Sequence, residues 1–205
     1  MSNYDDEMNE FRKEASEMVN LKQILDDWFG GVITFGGHPP GGQCCALELA
    51  SVARGRRWSS NPEYVGIPEI HKLNDAFWSS NEARTIALLP VLEDLWDWPS
   101  WTQSEKYSWV SRVGNRTIRE ILPIALREAK LILAVERCEA GWPSGDDFPP
   151  LGNLTLAVRY AVKGRDKLDL NYIGDAIRFA SSECHDADEL LNLACRIWQE
   201  EASRR

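Results

Sequence analysis

Apolar residues recur at three- and four-residue spacings along most of this chain, which is the signature of amphipathic helices. Phe11, Ala15, Met18, Leu21 or Lys22, Leu25 and Trp28 form one stripe on an otherwise acidic first helix, which Gly30 and Gly31 end. Val32–Phe35 is the one short β-like run, too little to build a sheet. The Gly36–Gly42 loop precedes a helix from about Gln43 to Arg54 that is apolar on more than one side, as a central buried helix is. Trp58–Ile67 reads as an ordered loop, and Pro68 opens a helix with Ile70, Leu73 and Phe77 on one face. Ser79-x-x-Glu82 is a capping box for a helix bearing Ile86, Leu89, Leu92 and Leu95, kinked or broken at Pro90.

A second capping box, Thr102-x-x-Glu105, opens a helix to about Leu122, and Pro123 starts or kinks another that runs to about Glu139. Gly141–Gly152 is a Pro/Gly linker. Three helical runs follow it: Leu154–Val162, Tyr172–Ser181 capped near Asp169 or Asn171, and Asp186–Glu201. The expected fold is all-α, a single bundle-like array of about eight or nine helices. One domain over 1–205 is favoured, with a subdivision into a 1–140 body, a 141–152 linker and a 153–205 tail as the alternative. Leu47, Leu49, Ile70, Leu73, Leu92, Val113 and Ile121 are the expected core.

Charge narrows the function classes. The net charge is −9 over 205 residues, which argues against a chain that neutralises many phosphates directly. Residues 1–30 hold eight acids against three bases, whereas Arg112–Glu139 holds six bases against four acids. Acidic ends around a basic middle steer a basic partner or a second copy, or serve solubility alone. Five cysteines without framework spacing, no secretory leader and no apolar run near twenty residues indicate reduced thiols in a cytoplasm and no membrane. With no CxxC, no HxxxH and only His38, His71 and His185, neither a metal nor another cofactor is expected.

From Cys45 to Pro68 the chain resembles a family of uncharacterised helical proteins of bacteria, chiefly actinobacteria, and phages. The resemblance rests on Cys45 or Cys44, Glu48, Ala50 or its neighbour, Gly55, Trp58, Ser59, Pro62, Pro68 and Ile70, with Leu88-Leu89-Pro90 and the Arg119–Pro123 spacing further on. It departs from the family pattern at Ser60, which replaces an Asp, at Val65, which replaces a second Cys, and at Arg56-Arg57. The Asn74-Asp75 pair sits about four residues nearer Pro68 than the pattern has it. The resemblance implies a helical fold and a shared site, and no reaction.

Several residues invite chemistry. Cys44 or Cys45 at a helix N-terminus, with His38, His71 or His185 as base, is the arrangement of a thiol nucleophile; a buried small apolar Cys is the alternative. FGGHPPGGQ offers N–H groups to an anion, or is a structural turn. Glu48 in an apolar helix is a general acid or base, or pairs with Arg54, Arg56, Arg57 or Arg119. Ser59, Ser60 and Asn61 before Pro62 bind a ligand beside Trp58 or form a local cap. Arg112, Arg116 and Arg119 make a basic stripe that grips a phosphate or an acidic partner, or is solvated or paired within the protein, with the acidic first helix or the Asp186–Glu201 helix. The Trp96, Trp98 and Trp101 cluster is expected to be part surface, where exposed Trp is favoured at interfaces.

The function expected from this balance is non-enzymatic: an acidic helical interaction protein whose tryptophans and acids, Glu10, Glu14 and Glu17 among them, engage a protein with a basic surface. Inhibition by nucleic-acid mimicry in a phage or mobile element is one version. A cysteine-dependent hydrolase or transferase, and a small-molecule-binding helical protein, are the alternatives. No direct nucleic-acid binding is expected, and a homo-oligomer is left open.

Overall fold

The computed structural model describes residues 20–144 and 152–205. Phe11, Ala15 and Met18, with Glu10, Glu14 and Glu17, and the middle of the 141–152 linker, lie outside the described residues. The elements are α1 (Leu21–Phe29), α2 (Ala46–Ala53), α3 (Pro62–Val65), α4 (His71–Asn74), α5 (Asn81–Asp94), a 3₁₀ turn (Trp98–Ser100), α6 (Gln103–Arg116), a π-turn (Thr117–Ile121), α7 (Leu122–Glu128), α8 (Ile132–Glu139), α9 (Asn153–Lys167), α10 (Leu170–Ser181) and α11 (Ala187–Ala202). With α6, the π-turn and α7 counted as one rod, the described residues hold ten helices, eight of them seven residues or longer. β-structure among them is limited to an isolated parallel bridge between Ile33 and Cys44.

Local chemistry sets most boundaries. Asn20 caps α1 by accepting from the Gln23 N–H, and Gly30 closes it in the left-handed region at φ 69°. Thr102 and Glu105 form the expected capping box of α6, and Asp169 and Asp186 cap α10 and α11. The α5 cap is one residue later than its sequence pattern suggests. Ser80 accepts from the Ala83 N–H, while Ser79 donates from its backbone to Asp188 at 2.9 Å and from its hydroxyl to the same carboxylate. Pro90 neither breaks nor ends α5. The carbonyl deprived of a partner four residues earlier belongs to Ile86, which is 75% exposed and so lies on the solvent side of the helix.

The other departures cluster at helix ends. The 58–67 loop contains a full turn, α3, because Asn61 caps it. Pro68 precedes α4 without opening it, and Phe77 lies beyond that single turn and is exposed. Pro123 has no N–H and clashes with a carbonyl four residues back in an α-helix. The rod absorbs this with the π-turn just before it, in which the Leu122 N–H reaches the Thr117 carbonyl. The helix expected to run to Glu139 stops at Glu128. There Lys130, at φ 59°, closes a Schellman turn with bonds from Leu131 N to Leu126 O and from Lys130 N to Arg127 O.

One hydrophobic cluster extends from Leu21 to Ala202, and all seven expected core residues lie within it, each no more than 1% exposed. All eight positions of α2 are buried, so this helix is central. The α9–α10 hairpin packs closely at Gly164, where an added Cβ would lie 2.9 Å from the Ile173 backbone nitrogen. The tryptophans join elements. Trp98, Trp101, Trp109 and Trp198 form a contiguous group with centroids 5.0–6.1 Å apart. Within it, the Trp109 indole N–H donates to the Trp198 carbonyl at 3.2 Å, tying α6 to α11.

Candidate functional site

The Gly36–Asp75 stretch does converge, around Glu48. This residue sits in the first turn of α2, and its side chain is 3% exposed. Its carboxylate accepts from the Cys45 N–H at 2.8 Å, from the His38 N–H at 2.8 Å, and lies 3.0 Å from His38 Nδ1. The Thr34 hydroxyl donates to the Cys44 carbonyl at 3.0 Å, and its oxygen lies 3.1 Å from His38 Nε2. The Trp58 indole donates to the His38 carbonyl at 2.7 Å and packs on Phe29. The Gly/Pro loop is therefore fastened to α2 by a buried carboxylate and covered by an indole.

A second set of bonds attaches α4 and α5. Asn74, 2% exposed, accepts from the Ala46 N–H at 3.1 Å and donates to the Thr34 carbonyl and to Asp75. Asp75 accepts from Gly36 N at 3.0 Å, Thr85 Oγ1 accepts from Ile33 N at 2.7 Å, and Arg84 Nε donates to the Asn74 carbonyl. These bonds fix three exposed apolar residues that sequence reasoning did not select: Phe35, Phe77 and Ile86, which are 61%, 56% and 75% exposed. Phe35 adjoins Gly36, Phe77 follows two after Asp75, and Ile86 follows Thr85. Phe77 and Ile86 sit at apolar positions of helical patterns, so periodicity assigns them to the core. Only the end of α4 at Asn74 and the one-residue shift in the α5 cap reveal otherwise.

Glu48, His38 and Thr34 have the order of a carboxylate–imidazole–hydroxyl relay, yet the hydroxyl belongs to a residue only 6% exposed and lies against a backbone carbonyl. Four of the five thiols are buried as well, and Cys184 is half-buried. Burial pushes Cys45 up to about 12 despite its place at a helix N-terminus. Burial raises Cys44 as well, aided by Cys45 and Glu48. Here desolvation of the thiolate outweighs the helix dipole. Cys138 is likewise raised to about 12 by burial, and so is Cys184, where Glu128, Glu183, Asp186 and Glu189 add to the effect; burial raises Cys195 too. His71 pairs with Glu69, and the backbone of His185 with Glu128.

A thiol raised from 9.0 to about 12 has roughly a thousandfold less thiolate at neutral pH. Iodoacetamide at pH 7.4 is therefore expected to label none of the five cysteines of the folded protein faster than the same cysteines in the urea-unfolded chain. Fast labelling of Cys44 or Cys45 that disappears with His38→Ala would restore the nucleophile reading.

The remaining candidates have structural partners. Asn61 Oδ1 accepts from Tyr64 N, and Ser59 Oγ from Asn61 N, so both serve the α3 cap. Arg112 and Arg116 bind Glu201, which is fully buried, at 2.7 and 3.2 Å, and Arg116 also binds Glu120 and Glu200. Two members of the basic stripe are thus neutralised on α11. Arg119, inside the π-turn, lies over Gly141 instead. Trp101 is buried, and Trp96 and Trp98 are half-buried against the core. Arg54 stacks on Trp96, Lys106 on Trp98 and Arg205 on Trp101. Every tryptophan is at least half-buried, so the cluster reaches the surface only in part, at Trp96 and Trp98, while Trp101 is withdrawn into the core. Their size makes core burial the larger gain. A groove of about 480 Å³ opens between α3 and the 98–106 segment, walled by Pro62, Ile67, Pro68, Trp98, Pro99 and Lys106; Trp58 is not part of its wall.

No group of acids, histidines and cysteines among the described residues is arranged to hold a metal, and none of their helices is long and apolar enough to cross a membrane. No family model matches the chain, and neither the curated proteins nor the solved structures compared with it contain a match.

Proposed function

We propose that the protein is a non-enzymatic interaction module that grips a macromolecule with a basic surface through Phe35, Phe77 and Ile86. The observation that supports this reading is the buried network beneath them. Asn74, Asp75 and Thr85 hold segments from three parts of the chain, and each segment projects a large apolar side chain into solvent. Exposed apolar residues on a preorganised base are what a partner can bury without an ordering cost. Glu82 is exposed, and Asp75 and Asp188 are half-exposed; all three border these segments and favour cations at the rim. Nucleic-acid mimicry is the specific version. What supports it is the net charge of −9.

The test is capture from the native host with the wild type and with Phe35→Asp/Phe77→Asp/Ile86→Asp. The triple variant is expected to keep its helical circular dichroism and thermal midpoint and to lose the partner by at least about a hundredfold in affinity, since each anchor contributes about 1.5–3 kcal/mol when buried. Displacement of the partner by duplex DNA supports the mimicry version. A partner held equally by both proteins would sink the reading.

A further inference from the structure

The α9–α10 hairpin carries a column of aromatic rings unrelated to the Glu48 site. Tyr160 of α9 lies between Tyr172 and Phe179 of α10, with centroids 5.7 Å from each and ring planes within 18° and 22° of parallel. Lys163 Nζ caps the Tyr172 end at 3.8 Å, and the Arg178 guanidinium caps the Phe179 end at 5.1 Å. All three rings are half-buried, so what they offer to solvent is edges and two phenol hydroxyls.

Arg178, beside Phe179, is paired with Asp175 at 3.6 Å, and the remaining charges are polarised along this face. Asn153, Tyr160, Lys163 and Lys167 fall on one side of α9, at spacings of seven, three and four residues. Lys163 and Lys167 sit at the closed end of the hairpin. At its open end, the Asn153 side chain donates to Glu183 at 2.7 Å, and Asp186 follows at the cap of α11. Tyr160 is midway, seven residues and about 10 Å from either end. A face that is basic at one end, aromatic in the middle and acidic at the other is complementary to itself under a two-fold rotation about its centre.

We infer that a second copy of this chain docks here, forming a symmetric dimer with its axis at Tyr160. Lys167 of each copy then faces Glu183 of the other, and the ring edges meet between them. The occupied outer ring faces leave no platform for base stacking, and the acidic end repels a phosphate backbone, so single-stranded nucleic acid fits less well. The contact is small, about 21 Å long and two helices wide, which places it among weak, reversible associations measurable near 100 µM protein. This inference stands apart from the proposed function, since it uses a different face and needs only the purified chain.

Sedimentation equilibrium of the full chain tests it. The wild type is expected to show a monomer–dimer equilibrium that weakens with salt. Lys167→Glu alone and Glu183→Lys alone each weaken it about tenfold, because each reversal spoils both symmetry-related pairs. Mixed in equal amounts, the two variants recover wild-type association, since both inter-chain pairs again have opposite sign. If Glu183→Lys loosens the Asn153 contact and lowers the thermal midpoint, Asn153→Ala, which breaks the same contact with no change of charge, is the control and is expected to keep wild-type association. A wild type that stays monomeric at 300 µM, or a mixture that stays as weak as its components, overturns the inference.

Discussion

Glu48→Ala is expected to cost about 3–5 kcal/mol of folding stability, the size typical of removing one partner from a buried charged network. The side chain is almost wholly enclosed, and its two oxygens take the Cys45 N–H, the His38 N–H and the His38 ring. Alanine leaves two backbone donors and a ring nitrogen without an acceptor in a space that water enters poorly. Glu48→Gln should cost less, because its carbonyl still accepts, but its amide NH₂ turns one acceptor into a donor facing donors. Urea denaturation measures both. Amide exchange should show the Alanine variant loosened first at 33–45, where the loop loses its fastening. A loss below 1 kcal/mol would mean the loop holds without the carboxylate, and the central role given to Glu48 would be wrong.

Glu201→Ala is expected to be comparably severe, again about 3–5 kcal/mol. Its carboxylate, fully buried in α11, is shared by Arg112 and Arg116 of α6 and by Arg204. Arg116 keeps Glu120 and Glu200, but the Arg112 Nε loses the acceptor that drew it inward. A double variant separates lost attraction from stranded charge. Adding Arg112→Met to Glu201→Ala should recover part of the loss, because one cation is then no longer left unpaired. Strictly additive costs would show that Arg112 swings to solvent and that the ion pair contributes little.

The helical fold class is legible in the sequence because it depends on periodicity and caps, which are local. The Thr102–Glu105 box, the Gly30 stop and the largely apolar Ala46–Ala53 segment each carry their explanation within a few residues. The break at Lys130 is not legible: Glu128, Ala129, Lys130 and Leu131 are all good helix formers, and the left-handed turn is held by packing where a glycine would announce it. Similarly, two serines compete for the α5 cap, and the choice is made by Asp188, more than a hundred residues away. At the candidate site, the sequence marks Glu48 as unusual and pairs it with arginines, whereas its partners are a loop amide and His38. The arginine stripe has several possible counter-charges in the sequence, and only α11 folded against it singles out Glu201. What spacing misses in each instance is a contact between distant segments.

The tryptophan group has an optical consequence. Trp98, Trp101, Trp109 and Trp198 lie with centroids 5.0–6.1 Å from their neighbours, and three of the four contacts are edge-on or close to it. Indoles that near, held at fixed angles, share electronic excitation and give coupled near-ultraviolet dichroism that vanishes once the rings turn independently. Trp58, one of five tryptophans outside the group, stands against Phe29 and the His38 carbonyl, and the emission lost in Trp58→Phe isolates its signal from the others. The chain thus carries native reporters in both places. One follows the joint of α6 with α11 and the other follows the loop on Glu48, so the order in which the two regions give way can be read without attaching a dye.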